Sequence, residues 1–270
     1  MSVFDRFKAQ PAAAGSPATA PVTIAQFTSA PGASAVAPGV DLAKRAPGLI
    51  DLHKKAGISL AKNNLIGVKA AVYLVLDYSG SMARYYRDGT VQAFTEQVLA
   101  AAVHFDDDGS IPVILFDAKA RPAEDVTIDD YQGAVARMQK RAGRMSTTNY
   151  AGAMQAVIGH YQASGATAPA LVIFETDGSP DSRRDAEAVL CHASTLPIFW
   201  QFVGFGDDSF QFLRKLDDLA VPQKRAIDNA GFFAAGRNPA AADPGTLYDN
   251  LMGEFPDWLA QARHQGIVRN

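Results

Sequence analysis

The stretch Leu74-Val-Leu-Asp-Tyr-Ser-Gly-Ser-Met82, LVLDYSGSM, decides the fold. An apolar run halts at Asp77, and two serines follow at alternate positions around Gly80. A buried strand that ends in a carboxylate and then a tight, hydroxyl-bearing loop is a strand-end site. Gly80 eases the turn, so that the oxygens of Asp77, Ser79 and Ser81 can face one point. Carboxylate and hydroxyl oxygens suit a hard cation such as Mg2+, which keeps near-octahedral geometry and some of its waters.

Outward from this stretch the chain alternates strands and helices. Ala70–Leu76, Ile111–Phe116, Ala170–Phe174 and Ile198–Phe205 are nearly continuous apolar runs. Runs of that kind suit parallel strands covered on both faces. Between them, Val91, Phe94, Val98, Ala102 and Phe105 recur at helical spacing. So do Tyr150, Met154, Val157 and Tyr161, and later Ala186, Val189 and Leu190. The expected fold is α/β, with a doubly wound, mostly parallel central sheet flanked by helices. VTIDDY (126–131) reads as a short antiparallel edge strand, and a last strand is expected near KRAIDNAGFF (224–233). Helices are expected from Asp243-Pro244 and again from Pro256.

Pro11 to Val40 holds no Asp, Glu, Lys or Arg, and Ala, Pro, Gly, Ser and Thr dominate it. Residues 1–40 therefore read as a flexible tail and 41–270 as the folded domain. Within the latter, 41–66 reads as a helical extension packed on it, in two pieces, with Pro47 opening one and Gly57 closing it. Hydrophobic residues make up 48% of the 270, enough for a sizeable core. A net charge of −3 gives no basic field for nucleic acid. The apolar runs fall short of the ~20 residues that span a bilayer, and MSVFDRFKAQ is not a signal peptide. A cytoplasmic location is expected. The lone Cys191 excludes an internal disulfide framework and reads as a small buried apolar residue. The five scattered histidines read as surface or satisfied core residues, and DDDG (106–109) as a polar turn without EF-hand spacing.

The strand ends are jointly acidic: Asp77, Asp117, Glu175 with Asp177, and Asp207. Carboxylates gathered at one edge repel unless a cation, a basic group or protons intervene. MSTTNYAGAM (145–154) places a threonine at a helix start, and LVIFETDG (171–178) places Asp177 at a strand end.

Together, DYSGS, Thr148 and Asp177 resemble the three-part signature of von Willebrand factor A (vWA) domains, in which these pieces form a metal-ion-dependent adhesion site. Ser146-Thr147 stands where relatives often carry Gly-Gly, so Thr147 competes with Thr148 for the register, and Thr148 is preferred. The run from Ala43 to Gln92, with FDDDGSIPVILFD (105–117), is similar to the vWA module of bacterial tellurium-resistance (Ter) proteins. The resemblance implies a non-enzymatic protein-interaction module serving tellurite or general stress response. It implies a divalent cation, Mg2+ before Mn2+ or Ca2+, held by Asp77, Ser79, Ser81, Thr148 and Asp177. A protein partner would present a carboxylate to that cation.

Arg84, Tyr85, Tyr86 and Arg87 follow the loop as a binding rim or as a solvated segment with half-buried tyrosines. Two rival readings stand. LDYSGS also resembles the phospho-aspartate loop of haloacid-dehalogenase-like phosphohydrolases, with Asp77 as nucleophile. Ser79, however, occupies the place of the second aspartate that most of those hydrolases use as general acid. The other rival is a metal-free scaffold.

Overall fold

The computed structural model describes residues 40–106 and 108–269. The expected tail thus lies, but for Val40, outside the described residues. The strands are β1 (Ala71–Asp77), β2 (Ser110–Phe116), β3 (Glu124–Thr127), β4 (Ala170–Thr176), β5 (Ile198–Phe205) and β6 (Ala230–Gly236). They form one sheet in the order β3-β2-β1-β4-β5-β6, parallel except for the antiparallel edge strand β3.

The helices are α1 (Leu42–Arg45), α2 (Ile50–Lys62), α3 (Ala83–Arg87), α4 (Thr90–Ala102), α5 (Ala134–Ala142), α6 (Tyr150–Ser164), α7 (Arg183–Ala193), α8 (Gln211–Asp217), α9 (Pro244–Met252) and α10 (Phe255–His264). Side-chain alternation along the strands builds two cores. Val72, Leu74 and Leu76 of β1 face a layer that includes α2, α4, α5, α9 and α10. Tyr73 and Val75 face the layer of α6, α7 and α8. Covering both faces is what lets the central strands be apolar almost throughout.

The strand order reverses between β1 and β4, because β2 lies on one side of β1 and β4 on the other. Such a switch point opens a crevice at the carboxyl ends of the two strands, since their following connections leave toward opposite faces. Asp77 ends β1 and Asp177 follows β4, so the fold puts both at that crevice.

Several elements differ from the sequence expectation. α2 runs straight through Gly57 to Lys62. Gly57 is a close-approach glycine: a Cβ there would lie 3.1 Å from His104 Cε1, whose ring stacks on His53 at 3.8 Å. The helix is held instead by its far end, where Ser59 Oγ and Lys62 Nζ donate to Asp249 of α9 at 2.7 and 2.6 Å. The edge strand occupies 124–127 rather than 126–131. It pairs from Val113↔Glu124 to Ser110↔Thr127, and β2 starts at Ser110, so later residues have no partner strand. β6 begins at Ala230 because the preceding segment is committed to Arg225, whose guanidinium sits 2.9 Å from Asp228 and donates to the Leu219 carbonyl. Cys191 is half-buried rather than buried. Within DDDG, Asp108 Oδ1 accepts from Ser110 N at 2.8 Å and Gly109 takes φ +71°, a turn.

Candidate functional site

Asp77 is fully buried, and both of its oxygens are engaged. Oδ1 accepts from the Ser79 amide at 2.8 Å, which folds the chain back on itself as an Asx turn does. Oδ2 accepts from Thr176 Oγ1 at 2.7 Å. The register explains the second bond: Leu76 pairs with Glu175 across β1 and β4, so Asp77 and Thr176 are adjacent. The Tyr150 hydroxyl in turn stands 2.9 Å from Thr176 Oγ1 and 2.5 Å from the Gly178 carbonyl oxygen.

The hydroxyls continue the chain of contacts. Ser79 Oγ lies 3.1 Å from Ser81 Oγ, and Ser81 Oγ donates to Asp177 Oδ1 at 2.7 Å. Asp77, Ser79, Ser81 and Asp177 thus share one connected set of oxygens. Thr148 joins through its loop. Ser146 bridges Ser79, and Gly80 N donates to the Ser146 carbonyl at 3.2 Å. Thr148 N donates to Asp181 Oδ2 at 3.1 Å, and Asp181 N donates back to the Thr148 carbonyl at 2.8 Å. Asn149 caps α6 by accepting from Gly152 N at 2.9 Å, which fixes where the threonine loop ends. Thr148 is half-buried and Thr147 exposed.

The four acidic strand ends divide into two kinds. Asp117 is buried, but Arg121 grips it with two bonds of 2.8 Å. Burial would push its carboxyl up, yet the guanidinium holds it below the usual range. Asp207 pairs with Arg237 and is likewise depressed. Asp77 and Asp177, at the switch point, have hydroxyl partners and no ion pair among the described residues. Burial pushes Asp77 up to about 7, against the pull of the Thr176 and Ser79 bonds, with Asp177 adding to the rise. Burial also raises Asp177, opposed by Ser81 and by Arg84 at the rim. Glu175 lies beneath them, fully buried, with neither carboxylate oxygen hydrogen-bonded. Burial and then the charges of Asp77 and Asp177 drive its carboxyl well up.

This donor set fits a hard divalent cation: carboxylate and hydroxyl oxygens, converging, with excess negative charge. Among the described residues no group of three or more His, Cys, Asp or Glu side chains is arranged to hold a metal, so a site here depends on its hydroxyls.

The rim differs from expectation. Gly80–Met82 forms a short 3-10 turn leading into α3. Tyr85 and Tyr86 are buried, not half-exposed. Tyr85 packs edge-on against Phe205, with centroids 5.4 Å apart, and Tyr86 donates to the Asp77 carbonyl at 2.8 Å. They brace the loop, and of the four rim residues only Arg84 and Arg87 are exposed. Sequence reasoning passed over Thr176 and Tyr150 as supports. The signal for Thr176 lay in strand register, which a single sequence does not display.

Residues 69–268 match the vWA-TerF-like family model, described as the vWA found in the TerF C terminus. The chain is 37% identical over 225 residues to the uncharacterized protein YcbR of Bacillus subtilis, a match covering 82% of this chain and 90% of YcbR. Proximal thread matrix protein 1 from the mussel byssus superposes with a TM-score of 0.50 at 17% identity, over 68% of this chain and 47% of that one. A von Willebrand factor type A structure from Catenulispora acidiphila gives 0.49 at 17% identity, over 71% and 43%. The present chain spans less than half the length of either solved structure, and at such identity the likeness concerns the fold alone. No helix among the described residues is long and apolar enough to cross a membrane. With a family match over most of its length and the strand-end signature at the switch point, this chain belongs to the vWA-TerF-like family of von Willebrand factor A domains.

Proposed function

We propose that the chain is a non-enzymatic protein-binding module that holds a divalent cation, Mg2+ foremost, through Asp77, Ser79, Ser81, Thr148 and Asp177. One observation carries the reading. Of the acidic strand ends, Asp117 and Asp207 are neutralised by arginines, whereas Asp77 and Asp177 are linked through Ser79 and Ser81 and have no ion pair among the described residues. Two carboxylates so placed are balanced by a doubly charged ion.

A bound cation would supply a Lewis-acidic position for an oxygen of a partner, most simply a carboxylate. The chain's own residues do the rest. Thr176 and the Ser79 amide fix the Asp77 carboxylate, while the Ser79 hydroxyl meets that of Ser81, which donates to Asp177. The phospho-aspartate reading is less well supported, because Ser79 stands where most of those hydrolases carry the second aspartate. The family name suggests a setting in tellurite or other stress response.

The test is calorimetric titration of Mg2+, Mn2+ and Ca2+ into metal-stripped protein, wild type beside Asp77→Ala. Saturable binding in the wild type that the variant loses supports the site. Equal binding in both proteins, or none in either, refutes it.

A further inference from the structure

At the opposite pole of the sheet lies an open groove of about 790 Å³. It is built where β1, β4 and β5 begin, between the α2–β1 turn, the α6–β4 loop, the α7–β5 loop and the chain following α10. β1 is seven residues long, so this groove stands roughly 20 Å from the Asp77 loop. A partner held here is not touching the metal pole.

The floor is built largely of apolar side chains. Pro169 and Pro197 line it and have no N–H. Their carbonyls are spent on the first amides of the neighbouring strands, Ala71 N at 2.9 Å and Ala170 N at 2.8 Å. Val68 and Val268 complete an apolar surface with few backbone groups left to hydrate. At the lip stands Ile66, 64% exposed, one of the few large hydrophobic side chains that the fold leaves in solvent.

The charge is one-sided. Lys69, Arg263 and Arg269 line the groove, and no aspartate or glutamate does. Arg263 and Arg269 are exposed and make no hydrogen bond or ion pair with any described residue. Other surface arginines of this net −3 chain, such as Arg45, Arg137 and Arg141, are paired with acids, whereas these two face an acid-free groove.

We propose that this basal groove is a second docking site, and that it receives an acidic segment of a partner protein whose apolar side chains fill the floor while its carboxylates meet Arg263 and Arg269. Charge complementarity selects the occupant. A small inorganic anion would leave the apolar floor and Ile66 uncovered, and a groove of this volume is sized for side chains. Three cations in a net acidic chain are few for nucleic acid, whose binding rests on many phosphate contacts. The domain then has two poles, one for a carboxylate at the switch point and one for an acidic–apolar segment at the strand starts, and can hold two partners at once.

The test is selection of a random short-peptide library on the full chain in EDTA, so that the metal pole is silent, followed by fluorescence anisotropy on the enriched peptides. The expected outcome is enrichment of peptides carrying Asp or Glu beside Leu, Ile, Phe or Met. Their affinity should fall by about tenfold or more in the double variant Arg263→Glu, Arg269→Glu, and again in Ile66→Ser, but hold in Asp77→Ala. All the substituted groove residues are exposed, so these variants keep the fold. The proposal is overturned if nothing is enriched, if enriched peptides lack acids, or if they bind the double variant equally. It is also overturned if millimolar inorganic phosphate displaces them completely, if the groove arginines instead carry binding to anionic vesicles, or if they carry a concentration-dependent dimer.

Discussion

Thr176 Oγ1 donates a 2.7 Å hydrogen bond to Asp77 Oδ2 across the β1–β4 pair, at the point where the sheet reverses its strand order. The bond joins the two strands that carry the acids of the site and fixes one of them. Neither group touches bulk water.

Thr176→Val keeps the shape of the side chain and removes its hydroxyl, the donor to Asp77 and an acceptor from Tyr150, which keeps the Gly178 carbonyl as a partner. Asp77 Oδ2 is then buried without its partner, which costs about 1–3 kcal/mol of stability. Chemical denaturation in the absence of metal reads this cost. Added Mg2+ is expected to recover part of it, because a ligand that binds only the native state stabilises it. An unchanged denaturation midpoint would show that the bond is dispensable.

Glu175 is the opposite case, a buried acid whose carboxylate oxygens have no hydrogen-bond partner among the described residues. Its charged form is strongly disfavoured, and even its neutral form leaves polar atoms unpaired in the core. Glu175→Leu is expected to raise stability by about 1–3 kcal/mol. The same variant titrated with Mg2+ shows whether the buried acid serves the site: a more stable protein with weaker cation binding marks a group kept for function at the expense of stability.

Asp217 carries a pH prediction that is independent of the metal pole. Burial comes first, then the charges of Glu254, Asp228 and Asp218, and together they push its carboxyl up to about 7, with Arg225 opposing. The unfolded value is about 3.9. Between these values the folded state binds the extra proton, so stability falls as pH rises through the window. The penalty is complete above the folded value and absent below the unfolded one. Asp217→Asn should therefore flatten the melting temperature between pH 5 and pH 8 relative to wild type. The effect is smaller than the shift alone implies, because the side chain is half-exposed and screened. An identical slope in both proteins would remove Asp217 from the account.

The sheet was legible because its central strands are nearly continuous apolar runs, a pattern suited to strands covered on both faces. DYSGS and Asp177 were legible because strand ends can be read from where apolar runs stop. What stayed hidden depends on register or on tertiary approach. Gly57 looks like a helix stop, yet its missing side chain makes room for His104. Tyr85 and Tyr86 look like a polar rim, yet Phe205 and the Asp77 carbonyl draw them inside. The sequence could list four acidic strand ends but could not sort them, since the arginines that neutralise two of them are placed by loops.

Two adjacent threonines, Thr147 and Thr148, compete for the fifth position of the site, and the structure separates them. Thr147 is exposed in the loop, whereas Thr148 is half-buried and its backbone is clasped by Asp181 at both N–H and C=O. Asn149 then caps α6, so Thr148 is the last residue before the helix begins. No hydrogen bond among the described residues uses the Thr148 hydroxyl, which leaves that oxygen available to a cation. Thr148→Ala should therefore weaken Mg2+ binding by at least the roughly tenfold that loss of an outer-shell partner costs a metal site. Thr147→Ala should leave binding unchanged. Both residues lie outside the core, so the melting temperatures should agree with wild type and the comparison should report on the site alone. The reverse pattern would move the ligand to Thr147 and shift the reading of the loop by one residue.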